Sequence, residues 1–327
     1  MGVAMSRRIS LCCIFFLLST VALAQGQPSN SAKKYFEQGT RKLNQGDFDQ
    51  AIADFTRAIE ISSQPMHHER SNDPVRASAN SFSTIEDEAS AITIIDPLTA
   101  YALNGRGLAL LNKGDIEQAL NDFERALRIQ PNLVEAYVNR GGARLARGDT
   151  DGAISDWTRA IEMNSKLAAA YLNRGAALLK IGKVEEAVAD LDKAIALDSK
   201  DPKAYGHRGF ARLLHNDFDR AMADFNSAIK LNPKLYWVFE GRGCVRLLRN
   251  ELEQAIADFD QAIALDPRFA NVYMKRGIAL LNQGKATEAL RDFEQAQTMD
   301  PNLKDRLSRL IEAARSSPPK RITITLN

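Results

Sequence analysis

Cysteine is nearly absent from this 327-residue chain: there are three, and two of them are neighbours, Cys12 and Cys13. If those two leave with an N-terminal leader, Cys244 stands alone. No disulfide within the chain is then available, and stability has to come from a buried core. An excess of charge of one sign is also missing. The 43 Lys and Arg face 41 Asp and Glu, and the surplus resides in Arg7 and Arg8, because residues 1–24 carry no acid. Without them the chain is neutral, which removes the basic footprint that nucleic acid or an anionic membrane would require. Asn-x-Ser/Thr sequons are lacking too. What is present, 45% hydrophobic and 26% charged residues, excludes disorder, collagen and a disulfide-rich scaffold.

One long apolar run occurs, Ile9–Val21 (ISLCCIFFLLSTV), preceded by Arg7 and Arg8 and followed by Ala22-Leu23-Ala24. A basic start, a short apolar stretch and small residues at a cleavage site predict a secretory signal peptide over 1–24. The run is short for a membrane span, so the mature chain is expected to have no integral span and to be exported, periplasmic or secreted. Retention of the segment as an anchor is the alternative.

Self-similarity dominates the remainder. Gly107, Gly141, Gly175, Gly209, Gly243 and Gly277 are spaced by 34 residues without a slip, and Gly39 begins a further copy upstream. Twelve residues after each of the six stands an alanine, Ala119 to Ala289, and four further on a large residue: Phe123, Trp157, Leu191, Phe225, Phe259 or Phe293. Ala119, Phe123, Ala126 and Leu127 fall on one helical face. Leu103, Gly107 and Leu111 do so on a preceding helix, where glycine permits close approach of its partner. Between the two helices Gly46, Gly114, Gly148, Gly182, Asn216, Asn250 and Gly284 occupy one position. These are the residue types that tolerate the left-handed conformation ending a helix. Asp47 with Gln50, and Asp115 with Gln118, have the spacing of an N-cap and its reciprocal side chain. Pro131, Pro233, Pro267 and Pro301 close their units. Ser63, Ser165 and Ser199 stand where others have that proline, which predicts looser junctions.

This pattern resembles the tetratricopeptide repeat, as in Tyr137, Gly141, Ala153, Trp157 and Ala160, or Tyr273, Gly277, Ala289, Phe293, Ala296 and Pro301. The resemblance implies an all-α, right-handed superhelical solenoid of seven helix-turn-helix repeats, with a capping helix at the C-terminal end. The expected bounds are 32–63 for the first repeat and 100–133, 134–167, 168–201, 202–235, 236–269 and 270–301 for six contiguous ones. Residues 64–99 form a polar insertion. Its part Ser83–Pro97 reads as a docking helix (83–95) running into a closing proline, with a disordered linker isolating the first repeat as the alternative. Residues 302–315 form an amphipathic cap, and 316–327 a flexible tail whose RITITL segment has the alternation of a strand.

One departure from the family stands out. Where leucine usually precedes the glycine, this chain has Arg106, Arg140, Arg174, Arg208, Arg242 and Arg276; before the second-helix large residue it has Asp122, Asp156, Asp190, Asp224, Asp258 and Asp292. An ion pair inside each repeat is predicted, fixing register more than it adds stability, because desolvation offsets much of the attraction.

No catalytic constellation appears, and no cofactor or metal is expected. His67, His68 and Glu69 lack spaced ligand partners, Glu86 and Asp87 in the same insertion have nothing to fix them, and His207 and His215 read as surface or groove residues. Cys244 reads as a small packing residue. The resemblance places partner binding on the concave surface lined by first helices, at Tyr101, Asn104, Leu108, Val138, Gly142, Leu172, Ala176, Phe210, Trp237, Glu240, Cys244, Met274 and Ile278. The family's carboxylate clamp for acidic chaperone tails is not matched there. The reading is therefore a non-enzymatic scaffold or adaptor that binds a peptide or amphipathic helix of another protein, with Phe210 and Trp237 as anchors. A monomer is expected, and self-association through the first repeat or the insertion is the alternative.

Overall fold

The computed structural model describes residues 29–63 and 96–316. The signal segment, the insertion residues 64–95 with His67, His68, Glu69, Glu86, Asp87 and the expected docking helix, and the tail beyond Ser316 lie outside the described residues. Within them the secondary structure is helical, with no strand: α1 (Asn30–Gln45), α2 (Phe48–Ser62), α3 (Pro97–Lys113), α4 (Ile116–Ile129), α5 (Val134–Arg147) and α6 (Thr150–Met163) form one compact unit up to Ser165. A second unit from Lys166 holds α7 (Ala168–Lys180), α8 (Val184–Leu197), α9 (Pro202–Leu214), α10 (Phe218–Leu231), α11 (Tyr236–Leu248), α12 (Leu252–Leu265), α13 (Ala270–Asn282), α14 (Ala286–Met299), a 3₁₀ turn Pro301–Leu303 and α15 (Lys304–Arg315).

Among the described residues six of the seven helix pairs are closed by a ring pressed on a glycine, and in α7–α8 Leu191 takes the ring's place, 2.9 Å from a Cβ added at Gly175. A Cβ added at Gly107 would lie 2.7 Å from Phe123, at Gly209 2.7 Å from Phe225 and at Gly277 2.5 Å from Phe293. Glycine is required there because two helix backbones and a buried ring share the space. The same rings also meet the next repeat: Gly105 receives Phe55 and Gly241 receives Phe225. Phe123, Trp157, Phe225, Phe259 and Phe293 are almost fully buried, each removing apolar surface worth roughly 1.5–3 kcal/mol from water. Trp157 also donates its indole N–H to the Val138 carbonyl at 3.1 Å.

All seven turn positions have positive φ, including Asn216 at 57° and Asn250 at 61°. Asp47 and, unforeseen, Asp149 and Asp217 cap their helices by accepting a backbone N–H. Asp115 does not: its side chain makes no cap bond. At two of the three junctions lacking proline, those at Ser165 and Ser199, the helix ends have the geometry seen before proline. Asn164 and Asp198, which end α6 and α8, have the same extended backbone (φ −144° and −138°) as Asn232 and Asp266 in front of Pro233 and Pro267 (φ −147° and −148°).

The first repeat is docked, not isolated. Phe55 lies in one core with Leu98, Ala102 and Leu103, the Ser62 and Thr99 hydroxyls are 2.8 Å apart, and Lys113 pairs with Asp49. That last contact repeats across later junctions as Arg147 with Glu117 and Arg249 with Asp219. Thus α1 and α2 stand directly against α3 as an adjacent repeat, and the insertion leaves and re-enters at one place. Pro97 does not close a helix; it opens α3, with Asp96 accepting from the Leu98 N–H at 2.8 Å.

Candidate functional site

The six predicted ion pairs are present and bidentate. From Arg106–Asp122 to Arg276–Asp292, guanidinium Nε and Nη2 donate to the two carboxylate oxygens at 2.7–3.0 Å. A second arginine one turn on joins at Asp156, Asp224 and Asp258, namely Arg144, Arg212 and Arg246. The remaining guanidinium nitrogen reaches back to the preceding repeat: Arg106 to Thr56, Arg208 to Asp192, Arg242 to Asn226 and Arg276 to Asp260. Rings three residues earlier, Tyr137, Tyr171, Tyr205, Phe239 and Tyr273, lie 5.5–5.8 Å beneath the guanidinium groups. Sequence reasoning missed this stacking, although the aromatic three residues ahead of five of the six arginines, all but Arg106, was its signal. The hydrogen bond to Asp292 raises the pKa of Arg276 further, against burial. This ladder is consumed by structure and offers no basic surface.

The expected partner-binding residues divide by burial. In the first unit Asn104, Leu108, Val138 and Gly142 are buried, and Asn104 accepts from Asn139 at 2.9 Å. Tyr101 is half-buried, its hydroxyl accepting from Gln130 at 3.3 Å. In the second unit Leu172, Met274 and Ile278 are buried in helix packing, whereas Ala176, Phe210, Trp237, Glu240 and Cys244 remain partly open.

Those open residues make two clusters. In one, the Trp237 ring lies flat on Gly206, where a Cβ would be 2.4 Å from it. It stacks on His207 at 4.9 Å and faces Phe210 at 6.0 Å, both at 27°. Phe210 in turn meets Phe225 edge-on at 5.2 Å. Burial, and then the charge of Lys203, push His207 down to about 4, so the shelf is neutral near pH 7. In the other cluster Lys275 donates to Glu240 at 2.5 Å, with Cys244 nearby. Burial raises the Cys244 thiol although Lys275 opposes it, which keeps the thiol protonated and poorly nucleophilic. Lys275 stays an ammonium: burial disfavours the charge, but the Glu240 carboxylate to which it donates outweighs that cost. The stacking of His207, read from the sequence only as a surface or groove residue, was not foreseen, nor was Lys275, one position beyond Met274; contact between consecutive first helices carries no local signal. His215 is exposed, 3.2 Å from Glu185. Among the described residues no group of His, Cys, Asp and Glu could hold a metal ion, and no helix is long and apolar enough to cross a membrane.

Repeats built from a glycine-seated ring, a left-handed turn and paired amphipathic helices have a counterpart in known proteins. Tetratricopeptide repeat models match residues 42–65, 100–133, 138–202, 172–236 and 270–303, and a TPR repeat model matches 244–284. The chain belongs to the tetratricopeptide repeat family. Proteins of this family generally mediate protein–protein interaction. Heat shock protein STI1 of Saccharomyces cerevisiae is 33% identical over 102 residues, which are 31% of this chain and 17% of that protein. Photosystem I assembly protein Ycf3 of Acaryochloris marina is 25% identical over 113 residues, 35% of this chain and 49% of that protein. The match therefore spans less than half of either curated relative. Among solved structures, a tetratricopeptide repeat protein from Parabacteroides merdae aligns over 88% of this chain and 99% of its own, at 21% identity and a TM-score of 0.58. The Cut9-Hcn1 structure of the APC/C hetero-tetramer aligns over 88% of this chain and 57% of its own, at 18% identity and 0.63. At such identities these two likenesses establish the fold.

Proposed function

We propose that this tetratricopeptide repeat protein is a non-enzymatic adaptor that is exported by the leader at 1–24, works in the bacterial envelope or outside the cell, and holds a peptide or amphipathic helix of another protein. The observation that carries the reading is the aromatic shelf of the second unit. Trp237 rests on Gly206 and stacks on His207 with Phe210 beside it, so its ring is ordered before a partner arrives and little rotamer entropy opposes binding. Large, half-buried aromatic residues are the side chains that most often carry binding energy. Within the second unit the buried positions Leu172, Met274 and Ile278 shape the surface that Ala176, Phe210, Trp237 and Glu240 present.

The test is affinity capture with crosslinking from native envelope and medium, comparing the protein with a Phe210→Glu, Trp237→Glu double variant of unchanged helicity and melting. A partner captured only by the unmodified protein supports the shelf as the docking site. The same partners on both proteins would move recognition elsewhere.

A further inference from the structure

Residues at i, i+7 and i+11 share one face of a helix. On α9 such a row is Lys203, Phe210 and Leu214, and on α11 it is Trp237, Cys244 and Leu248. Phe210, Trp237, Cys244 and Leu248 pack on the same core yet stay partly open, and Leu214 is 37% exposed. Together they make an apolar strip along the seam between α9 and α11. From Trp237 to Leu248 it runs about 16 Å, at 1.5 Å per residue.

What the two helices lack decides what can lie on that strip. Neither α9 (PKAYGHRGFARLL) nor α11 (YWVFEGRGCVRLL) contains Asn, Gln, Ser or Thr. Their arginines belong to the ladder, Arg208 and Arg212 on Asp224, Arg242 and Arg246 on Asp258. Glu240 already accepts from Lys275, and His207 is stacked on Trp237. An extended peptide laid along the seam would press its N–H and C=O groups against rings and aliphatic carbon, each unbonded group costing about 1–3 kcal/mol. A helix satisfies its backbone internally and has the same rise as the strip, so its side-chain ridges meet the grooves of α9 and α11 along their length.

Charge marks one edge of the strip. Neither α7 (AAAYLNRGAALLK) nor α9 contains Asp or Glu. Lys180 is exposed at the position of α7 that corresponds to Leu214, and at the other end of α9 the charge of Lys203 reaches His207. The acid nearest in the chain, Asp201, caps α9 by accepting the Lys203 backbone N–H at 2.8 Å. Toward α13 the charges of Glu240 and Lys275 cancel.

We propose that the partner segment is an α-helix, not an extended chain, lying along the α9–α11 seam with an apolar stripe on Phe210, Leu214, Trp237 and Leu248 and with carboxylates on the edge facing α7. This rests on the adaptor reading above and narrows it to one class of ligand.

The test selects two displayed libraries against the full chain, one of helices held in a helical scaffold with the outer face randomised, the other of linear random segments. Binders that also bind the Phe210→Glu, Trp237→Glu variant are discarded. The survivors should come from the helix library, with apolar residues at i, i+4, i+7 and i+11, acids on one flank and no proline between. A selected helix, made as a labelled peptide, should bind a Lys180→Glu, Lys203→Glu variant about tenfold more weakly. Exchanging its flanking acids for lysine should restore the affinity. If Lys203→Glu lowers helicity, Lys180→Glu alone, at an exposed position, is read for the same loss and rescue. Survivors that are linear, contain proline or carry basic flanks would overturn the helix and leave the shelf as the docking site. No shelf-dependent binder from either library would overturn both.

Discussion

The first repeat and the interior repeats solve the same packing problem with different chemistry. In α1 the position of the interior arginines is Gln38, and Asp54 in α2 is only half-buried, with no ion pair among the described residues. In the interior the equivalent aspartates are nearly inaccessible, Asp224 and Asp258 being 3% exposed at the side chain. Phe55 and Phe225 are equally buried in both settings. The ring on glycine is thus enough to join two helices. The arginine is what lets a carboxylate enter the interior, and it adds a bond to the preceding repeat, as from Arg208 to Asp192.

The sharpest way to break this contrast is to remove the carboxylate in each setting. Asp224→Ala strands Arg208 and Arg212 in a site built for their pairing, and should cost about 3–5 kcal/mol. Asp54→Ala should stay within about 0.5 kcal/mol, as for an exposed position. Urea denaturation followed by circular dichroism measures both; equal losses would refute the distinction. Next in size is the glycine seat, which the two settings share. Gly243→Ala places a Cβ 2.7 Å from Phe259 and should cost about 1–3 kcal/mol through overpacking. Gly39→Ala, with Phe55 at 2.9 Å, should behave alike, and a tolerated Gly39→Ala would show the first repeat to be loosely packed.

A pH effect separates the second unit from the first. The pKa of His207 is depressed from 6.5 to about 4 in the folded protein. Protons therefore bind the unfolded chain more readily. The stability contributed by neutral His207 is complete above pH 6.5 and is lost progressively as pH falls toward 4. A His207→Gln variant should lack that part of the slope in thermal melts between pH 7 and 4; an unchanged slope would remove His207 as its source. The smallest effect is expected from the insertion. Because Ser62 and Thr99 already touch, replacing residues 64–95 with a Gly-Ser linker of about half that length should change the unfolding free energy, read from urea denaturation, by only about 0.6 kcal/mol, the scale of loop-length entropy. A large loss of helicity would mean that the first repeat depends on those residues.

The repeat, its turns and the Arg–Asp pairing were readable in the chain because each recurs at a fixed offset, so every copy reinforces the same inference. The cap at Asp115, the role of Pro97 and the separation of buried from open positions were not readable. Asp115 has the same local signature as Asp47 yet makes no bond, and Pro97 closes or opens a helix depending on which residues pack around it. Met274 and Trp237 look alike as large apolar residues on one helix face. Packing between consecutive first helices buries the former, and Gly206 gives the latter a seat at the surface.

By itself the sequence determined the period, the helix pairs, the family and the internal neutralisation of its charges, since these follow from residue type and spacing along one chain. Only the tertiary structure decided that the first repeat closes up against α3 across a repeat-length insertion, that Lys275 donates to Glu240, and that Trp237 lies on His207. Those contacts join residues about 30 or more positions apart, and nothing local to either partner distinguishes a pair that meets from one that does not.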